Sequence, residues 1–257
     1  MSSTLTGKVA LVTGAAQGAG RGVADALADE GASVAAVGRP LEKLEVVADE
    51  IEARGGRARA MRCDVGVDDD IVGVVGSVVA EFGTVDILVN AAQHTTRGGW
   101  LLQVDERDVE LLWRTGPLAT LRFMRACHPF LRDGGSIVNF GSGAQYAPEG
   151  YGVYAATKDA IQAITRAAAV EWGRDGIRVN IVHPNAVFDT GIWTEEVLRS
   201  RAESYGLSVE EYRRNNVLQV AVTSRDVAEM VAEMCGPVFS RTTAAQVPVD
   251  GGNERVI

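Results

Sequence analysis

The sequence predicts an α/β fold in a single domain, with one parallel sheet covered by helices on both faces. Three observations carry that prediction. Short apolar runs rich in Val and Ile recur along the chain, longer segments of helical period separate them, and the first run ends in a glycine-rich turn that opens a helix. Continuous apolar runs suit strands buried on both faces, and strand–helix–strand alternation suits parallel pairing.

The apolar runs fall at 9–13, 33–37, 58–63, 86–90, 136–140, 177–182 and 244–249, which gives seven strands. Between the second and third, Leu41, Leu44, Ala48 and Ile51 recur on one face of an amphipathic helix. The acidic stretch VDDD (67–70) is read as a helix start, where carboxylates cap N–H groups and favour the dipole, rather than as a metal site. Residues 150–172 read as one long helix. The exception to the alternation is 190–217, which reads as two short amphipathic helices where inserts commonly cover a ligand crevice. No Pro/Gly/Ser-rich linker, repeat or low-complexity segment divides the chain, so residues 1–257 are expected to form one domain.

Composition narrows the function classes. With 46% apolar and 23% charged residues over 257 positions, the chain can bury a core without metal or disulfide support. A formal net charge of -9 argues against a broad nucleic-acid surface, which needs clustered cations. Cys63, Cys127 and Cys235 show neither zinc spacing nor a disulfide framework. His94, His128 and His183 lack ligand spacing and read as surface or internally satisfied groups, although His94 could line a pocket. No metal site is expected. Arg97 could meet an acidic substrate but reads first as a solvated loop residue. No apolar run approaches the roughly 18 residues of a membrane span. The start has no signal-peptide pattern, so a cytoplasmic location is expected.

Gly14, Gly18 and Gly20 lie in TGAAQGAG (13–20), directly after the first strand. Glycines there permit a tight turn, a close backbone approach to a pyrophosphate and close helix–strand packing, with N–H groups of the helix start facing the anion. A dinucleotide site therefore includes Gly14, Gln17, Gly18, Ala19 and Gly20. The second strand ends in Gly38 and Arg39 with no acid. A carboxylate there would serve the NAD ribose and a cation the 2′-phosphate of NADP, so NADP(H) is favoured and NAD(H) is the alternative. Gln17 stands where a second basic residue could have helped.

Tyr154 and Lys158 are four apart on the predicted long helix, which puts them on one face, one turn apart. Only Lys8, Lys43 and Lys158 are lysines among the 25 basic residues. An ammonium beside a phenol lowers its pKa, so the pair can exchange a proton with an alcohol or ketone. Ser142, after the fifth strand, could hold the substrate oxygen.

These residues resemble the short-chain dehydrogenase/reductase family over nearly the whole chain. The likeness rests on TGAAQGAG (13–20), CDV (63–65), ILVNAA (87–92), GSIVNFGS (135–142), YAATK (154–158), GIRVNIVHP (176–184) and VDGG (249–252). It implies a doubly wound Rossmann-type domain around a seven-stranded parallel sheet, assembled as a homotetramer or homodimer. It implies reversible hydride transfer between NADP(H) and a secondary alcohol or ketone. In that reading Tyr154 is the acid/base, Lys158 lowers its pKa and binds the nicotinamide ribose, and Ser142 orients the substrate oxygen. Asp64 and Val65 would contact the adenine. Asn90, Ala91 and Ala92 would lie along the cofactor, and Pro184 and Val187 would pass the nicotinamide carboxamide.

The chain departs from the family pattern at four places. Asn90-Ala91-Ala92-Gln93 replaces Asn-Asn-Ala-Gly, Pro184-Asn185 replaces Pro-Gly, and the Ser142–Tyr154 interval is one residue short. Gly116 falls where the family has a catalytic asparagine that holds a water in a relay to the lysine. An enzyme with a modified relay or an unusual substrate is expected. The alternatives are a cofactor-binding sensor or scaffold without turnover, and a non-redox relative that opens epoxides or releases halide. The latter is disfavoured because such relatives carry arginine for the lysine and lose the glycine turn. The segment from 183 to 252 is also similar to the dehydrogenase half of bifunctional rhamnulose-phosphate aldolase proteins, which implies a small polyhydroxylated or hydroxy-aldehyde substrate. Val187, Ile192 and Trp193 equally suit a terpenoid or polyketide ring, or plain core packing of a lid.

Overall fold

A computed structural model of the chain describes residues 4–95, 99–131, 133–146 and 149–253. Its strands are β1 (Val9–Thr13), β2 (Ser33–Gly38), β3 (Arg57–Arg62), β4 (Ile87–Asn90), β5 (Ser136–Phe140), β6 (Arg178–Pro184) and β7 (Gln246–Val249). They form one parallel sheet in the order β3-β2-β1-β4-β5-β6-β7. All seven predicted strands are present, with ends shifted by a residue or two.

The inner strands β1, β2, β4, β5 and β6 are buried on both faces because their side chains alternate between two cores. Ala10 and Val12 of β1 join Val34, Leu44, Ile51 and Val231 on one side. Val9 and Leu11 join Ile71, Val78, Phe123 and Ile137 on the other. The first layer is built by α1 (Gly18–Asp29), α2 (Leu41–Ala53) and, later in the chain, α9 (Ser224–Cys235). The second is built by α3 (Asp68–Phe82), α5 (Ala119–Cys127) and α6 (Gly152–Trp172). The outermost strand β3 turns Arg57, Arg59 and Arg62 to solvent, a charge pattern that blunts an edge against further pairing. Asp68, Asp69 and Asp70 occupy the first turn of α3, as the helix-start reading of VDDD requires.

Two features modify the expected elements. The helical segment between β4 and β5 divides into α4 (Glu106–Trp113), a π-helical stretch at Arg114–Leu118 and α5. Pro117 lies inside the stretch, and its missing N–H disturbs the regular hydrogen-bond ladder. The insert at 190–217 forms α7 (Glu195–Ser204) and α8 (Val209–Arg213), both capped by a hydroxyl, of Thr194 and Ser208 respectively. Cys63, Cys127 and Cys235 are buried and unpaired, and burial pushes each thiol up to about 12. No helix among the described residues is long and apolar enough to cross a membrane.

Candidate active site

The strand order reverses between β1 and β4, so their C-terminal ends open a crevice where a doubly wound sheet receives ligands. β1 runs into α1 through the glycine-rich turn. Gln17 at the helix start is extended, with φ -166, and supplies no side-chain cap, which leaves the first N–H groups of α1 available to an anion. Gly20 packs on the Gly14 carbonyl so closely that a Cβ there would collide with backbone. The uncapped helix start and this tight seat fit a dinucleotide pyrophosphate. Thr13 ties the crevice together, accepting from Ala91 N and Ala92 N at 3.1 Å each. Asn90 directs its side chain into the sheet instead, donating to Asn139 Oδ1 at 2.9 Å. Thr190 was not singled out from the sequence. Its methyl would lie 3.4 Å from a Cβ on Gly18, so the base of the insert approaches the turn.

Farther along the crevice, Arg39 after β2 and Arg62 at the end of β3 border an open cleft of about 770 Å³ with Asp64, Asp69 and Asp70. Neither guanidinium has a carboxylate at ion-pair distance among the described residues. Asp64 accepts from Gly66 N (2.9 Å), and Asp70 accepts from Asp64 N (3.0 Å), so both carboxylates are tied to the loop they belong to. Arg62 is the second cation that the Gln17 position lacks. It escaped the sequence reading because only the β2–β3 pairing, with Gly38 opposite Arg62, brings it beside Arg39.

On the other side of β4, Ser142, Tyr154 and Lys158 converge. Ser142 follows β5; its hydroxyl accepts from Ala144 N at 3.0 Å and lies near enough to the Tyr154 phenol to favour that group's ionised form. Tyr154 lies in the first turn of α6, half-buried, and the Lys158 Nζ sits 5.4 Å from the centre of its ring. Lys158 is 4% exposed and donates to the Phe140 carbonyl at 2.9 Å. The pKa expectation needs correction. Desolvation pushes the Tyr154 phenol up to about 12, with the nearby Ser142 hydroxyl opposing the rise. The amine is itself desolvated, which brings Lys158 down to about 7. Tyr154 is therefore protonated at neutral pH, and the ammonium that would favour phenolate is only partly populated.

Pro184 closes β6 and Val187 is buried just beyond it, while Asp64 and Val65 line the loop after β3. Phe188, Trp193 and Tyr212 form an aromatic cluster under the insert, with ring centres 4.9 to 6.2 Å apart. Tyr151 stacks edge-on to Tyr154 at 6.5 Å, and Arg201 of α7 reaches its hydroxyl at 3.4 Å. The insert thus contacts the residue that begins the Tyr154 helix. Ile192 is exposed and does not join the cluster core. Arg97 lies outside the described residues.

Gly116 sits in the π-helical stretch, and the space a side chain would take there holds the Gln93 carboxamide. Gln93 Nε2 donates to Thr157 Oγ1 at 2.8 Å. His183 also departs from expectation: it is neither superficial nor satisfied. It is 2% exposed, packs on Gly141, and has no hydrogen-bond partner at either ring nitrogen among the described residues. Burial holds its pKa below the usual histidine range, which favours the neutral ring. His128 is paired, 3.1 Å from Asp175, and His94 is half-buried beside the crevice. No group of three or more His, Cys, Asp or Glu among the described residues could hold a metal ion.

A family model described as enoyl-(acyl carrier protein) reductase, of the C2 short-chain alcohol dehydrogenase type, matches residues 14–254. A 12α-hydroxysteroid dehydrogenase from Clostridium sp. is 32% identical over 260 residues, 96% of each chain. An uncharacterized NAD-dependent oxidoreductase of Mycobacterium tuberculosis is 32% identical over 266 residues, 97% of this chain and 96% of its own length. Among solved structures, L-sorbose reductase from Gluconobacter frateurii, complexed with NADPH and L-sorbose, superposes with a TM-score of 0.90. It is 25% identical, with 100% of both chains covered.

Proposed function

The chain belongs to the short-chain dehydrogenase/reductase family, and from that premise we propose that it is an NADP(H)-dependent oxidoreductase interconverting a secondary alcohol and a ketone. The observation that carries this reading is the convergence of Ser142, Tyr154 and Lys158 across β4 from the uncapped glycine turn. When bound, the dinucleotide supplies or accepts the hydride at the substrate carbon. The chain's own residues hold and move the proton. Ser142 and Tyr154 donate to the carbonyl oxygen, polarising it, and Tyr154 gives up its proton as alkoxide character develops there. The Lys158 ammonium stabilises the resulting phenolate. In the oxidising direction the phenolate takes the proton back.

Arg39 and Arg62 support NADP over NAD, because two unpaired guanidiniums at one cleft suit a dianionic 2′-phosphate. Arg39→Ala should weaken NADPH binding by about tenfold to a hundredfold, the worth of a charge-assisted contact, and leave NADH binding nearly unchanged. Fluorescence titration of the variant checks this. Equal losses for both cofactors would show that Arg39 does not read the phosphate. The aromatic cluster of Phe188, Trp193 and Tyr212 favours a ring-bearing substrate over a small polyol, since such faces bury apolar rings well.

Assembly as a homotetramer or homodimer is supported by the outer face of α6. There Ala163, Ala167 and Val170 form an exposed stripe at helical spacing, with Val170 81% exposed. Val170→Arg should shift the assembly to monomers in sedimentation velocity. An unchanged sedimentation coefficient would place the contact elsewhere.

A further inference from the structure

Gln93 lies just beyond β4, and Gly116 lies in the π-helical stretch that packs on α6. A Cβ on Gly116 would stand 2.6 Å from Gln93 Nε2 and 2.8 Å from its Cδ. A side chain at 116 and the carboxamide of Gln93 thus compete for one space. Within it, Nε2 donates to Thr157 Oγ1, and Thr157 donates its own proton to the Tyr154 carbonyl at 2.7 Å. Because that hydroxyl proton is committed, Oγ1 can only accept from the amide, which fixes the nitrogen end of Gln93 toward Thr157. The other end, Oε1, is buried with no protein partner among the described residues. Buried acceptors of this kind are filled by ordered water or by a ligand atom. Lys158 follows Thr157 directly, and among the described residues its three donors have one protein acceptor, the Phe140 carbonyl.

Resting on the oxidoreductase reading above, we propose that Gln93 is a positioning residue of the catalytic centre. Through Thr157 it fixes the turn of α6 that carries Tyr154 and Lys158, and its Oε1 holds the water that accepts from the Lys158 ammonium. Gly116 is glycine because the carboxamide needs its space.

Among the described residues, Tyr154 on α6 and His183 on β6 are ionisable groups near the amine. No carboxylate lies within ion-pair distance of Lys158 among the described residues, so a fixed acceptor is a substantial influence on its charge. With only three lysines in the chain, isotope-labelled lysine gives three side-chain signals, and the Lys158 titration can be followed by NMR in the whole protein. Gln93→Met keeps the volume and removes the acceptor. It should lower the Lys158 midpoint by about half a pH unit or more, because the ammonium loses a stabilising partner. Gln93→Glu should raise it, and Gly116→Ala, which displaces the carboxamide, should lower it as Gln93→Met does. In ketone reduction Gln93→Met should lose about tenfold in kcat with KM unchanged. A Lys158 midpoint that stays in place in all three folded variants would overturn the proposal, whatever their thermal stability. Failure of the wild-type protein to bind NADPH or NADH would instead remove the oxidoreductase reading, and the Lys158 titration would still decide the role of Gln93.

Discussion

Tyr154→Phe should leave the fold and cofactor binding in place and reduce carbonyl reduction by about 10²–10⁴-fold, the usual worth of a positioned general acid. The substitution removes one oxygen. Tyr154 is half-buried and its ring packs against Tyr151, so phenylalanine keeps the packing and deletes only the proton donor. With the phenol held near 12, the proton is present at neutral pH and is released only when negative charge develops on the substrate oxygen. The measurement is kcat with a ketone substrate, alongside NADPH binding by fluorescence. A loss in kcat with binding preserved is the expected pair of results. Preserved turnover would move the proton to another donor. A sensor or scaffold would show no turnover to lose.

Lys158→Met should reduce the same rate by a comparable factor and also change its pH dependence. The sign follows from the charge that assists catalysis. The ammonium form stabilises the Tyr154 phenolate, and that form predominates below the Lys158 pKa of about 7. In the wild-type protein kcat for reduction should therefore be level below that pH and fall as pH rises through it. The methionine variant should be slow throughout and lack this limb. Lys158→Arg keeps a charge at every accessible pH, so it should lose the limb too, while the planar guanidinium fits the Phe140 carbonyl poorly and costs rate. A reduction limb that persists near 7 in both variants would assign the titration to another group.

Much of the fold is written in local patterns. β1, β4 and β5 are mostly apolar runs because both their faces meet a helix layer, and that burial is visible in composition alone. The glycine turn and the Tyr154–Lys158 spacing are likewise local. The rest depends on contacts between distant segments. Gln93 and Gly116 each read as a departure from a family pattern, and only the packing of the π-helical stretch on α6 makes them complementary. Pro117, a residue that breaks helical hydrogen bonding, was the one local sign that this stretch is irregular. Arg62 becomes a partner of Arg39 through strand register, which a single sequence does not display. His183 resembles any other histidine until β6 is placed in the sheet beside Gly141. The pKa of Tyr154 was misjudged for a related reason: spacing gives the lysine as a neighbour but not the desolvation that both groups share.

The central claim is that the crevice above β1 and β4 binds a phosphorylated nicotinamide dinucleotide and uses it. The most direct test is a fluorescence titration of the full chain with NADPH and with NADH under the same salt. Saturable binding of both is expected, with NADPH at least about tenfold tighter, because the guanidiniums of Arg39 and Arg62 meet a charge that NADH lacks. Tighter binding of NADH would contradict the assignment of those arginines. Absence of binding by either cofactor would contradict the claim itself.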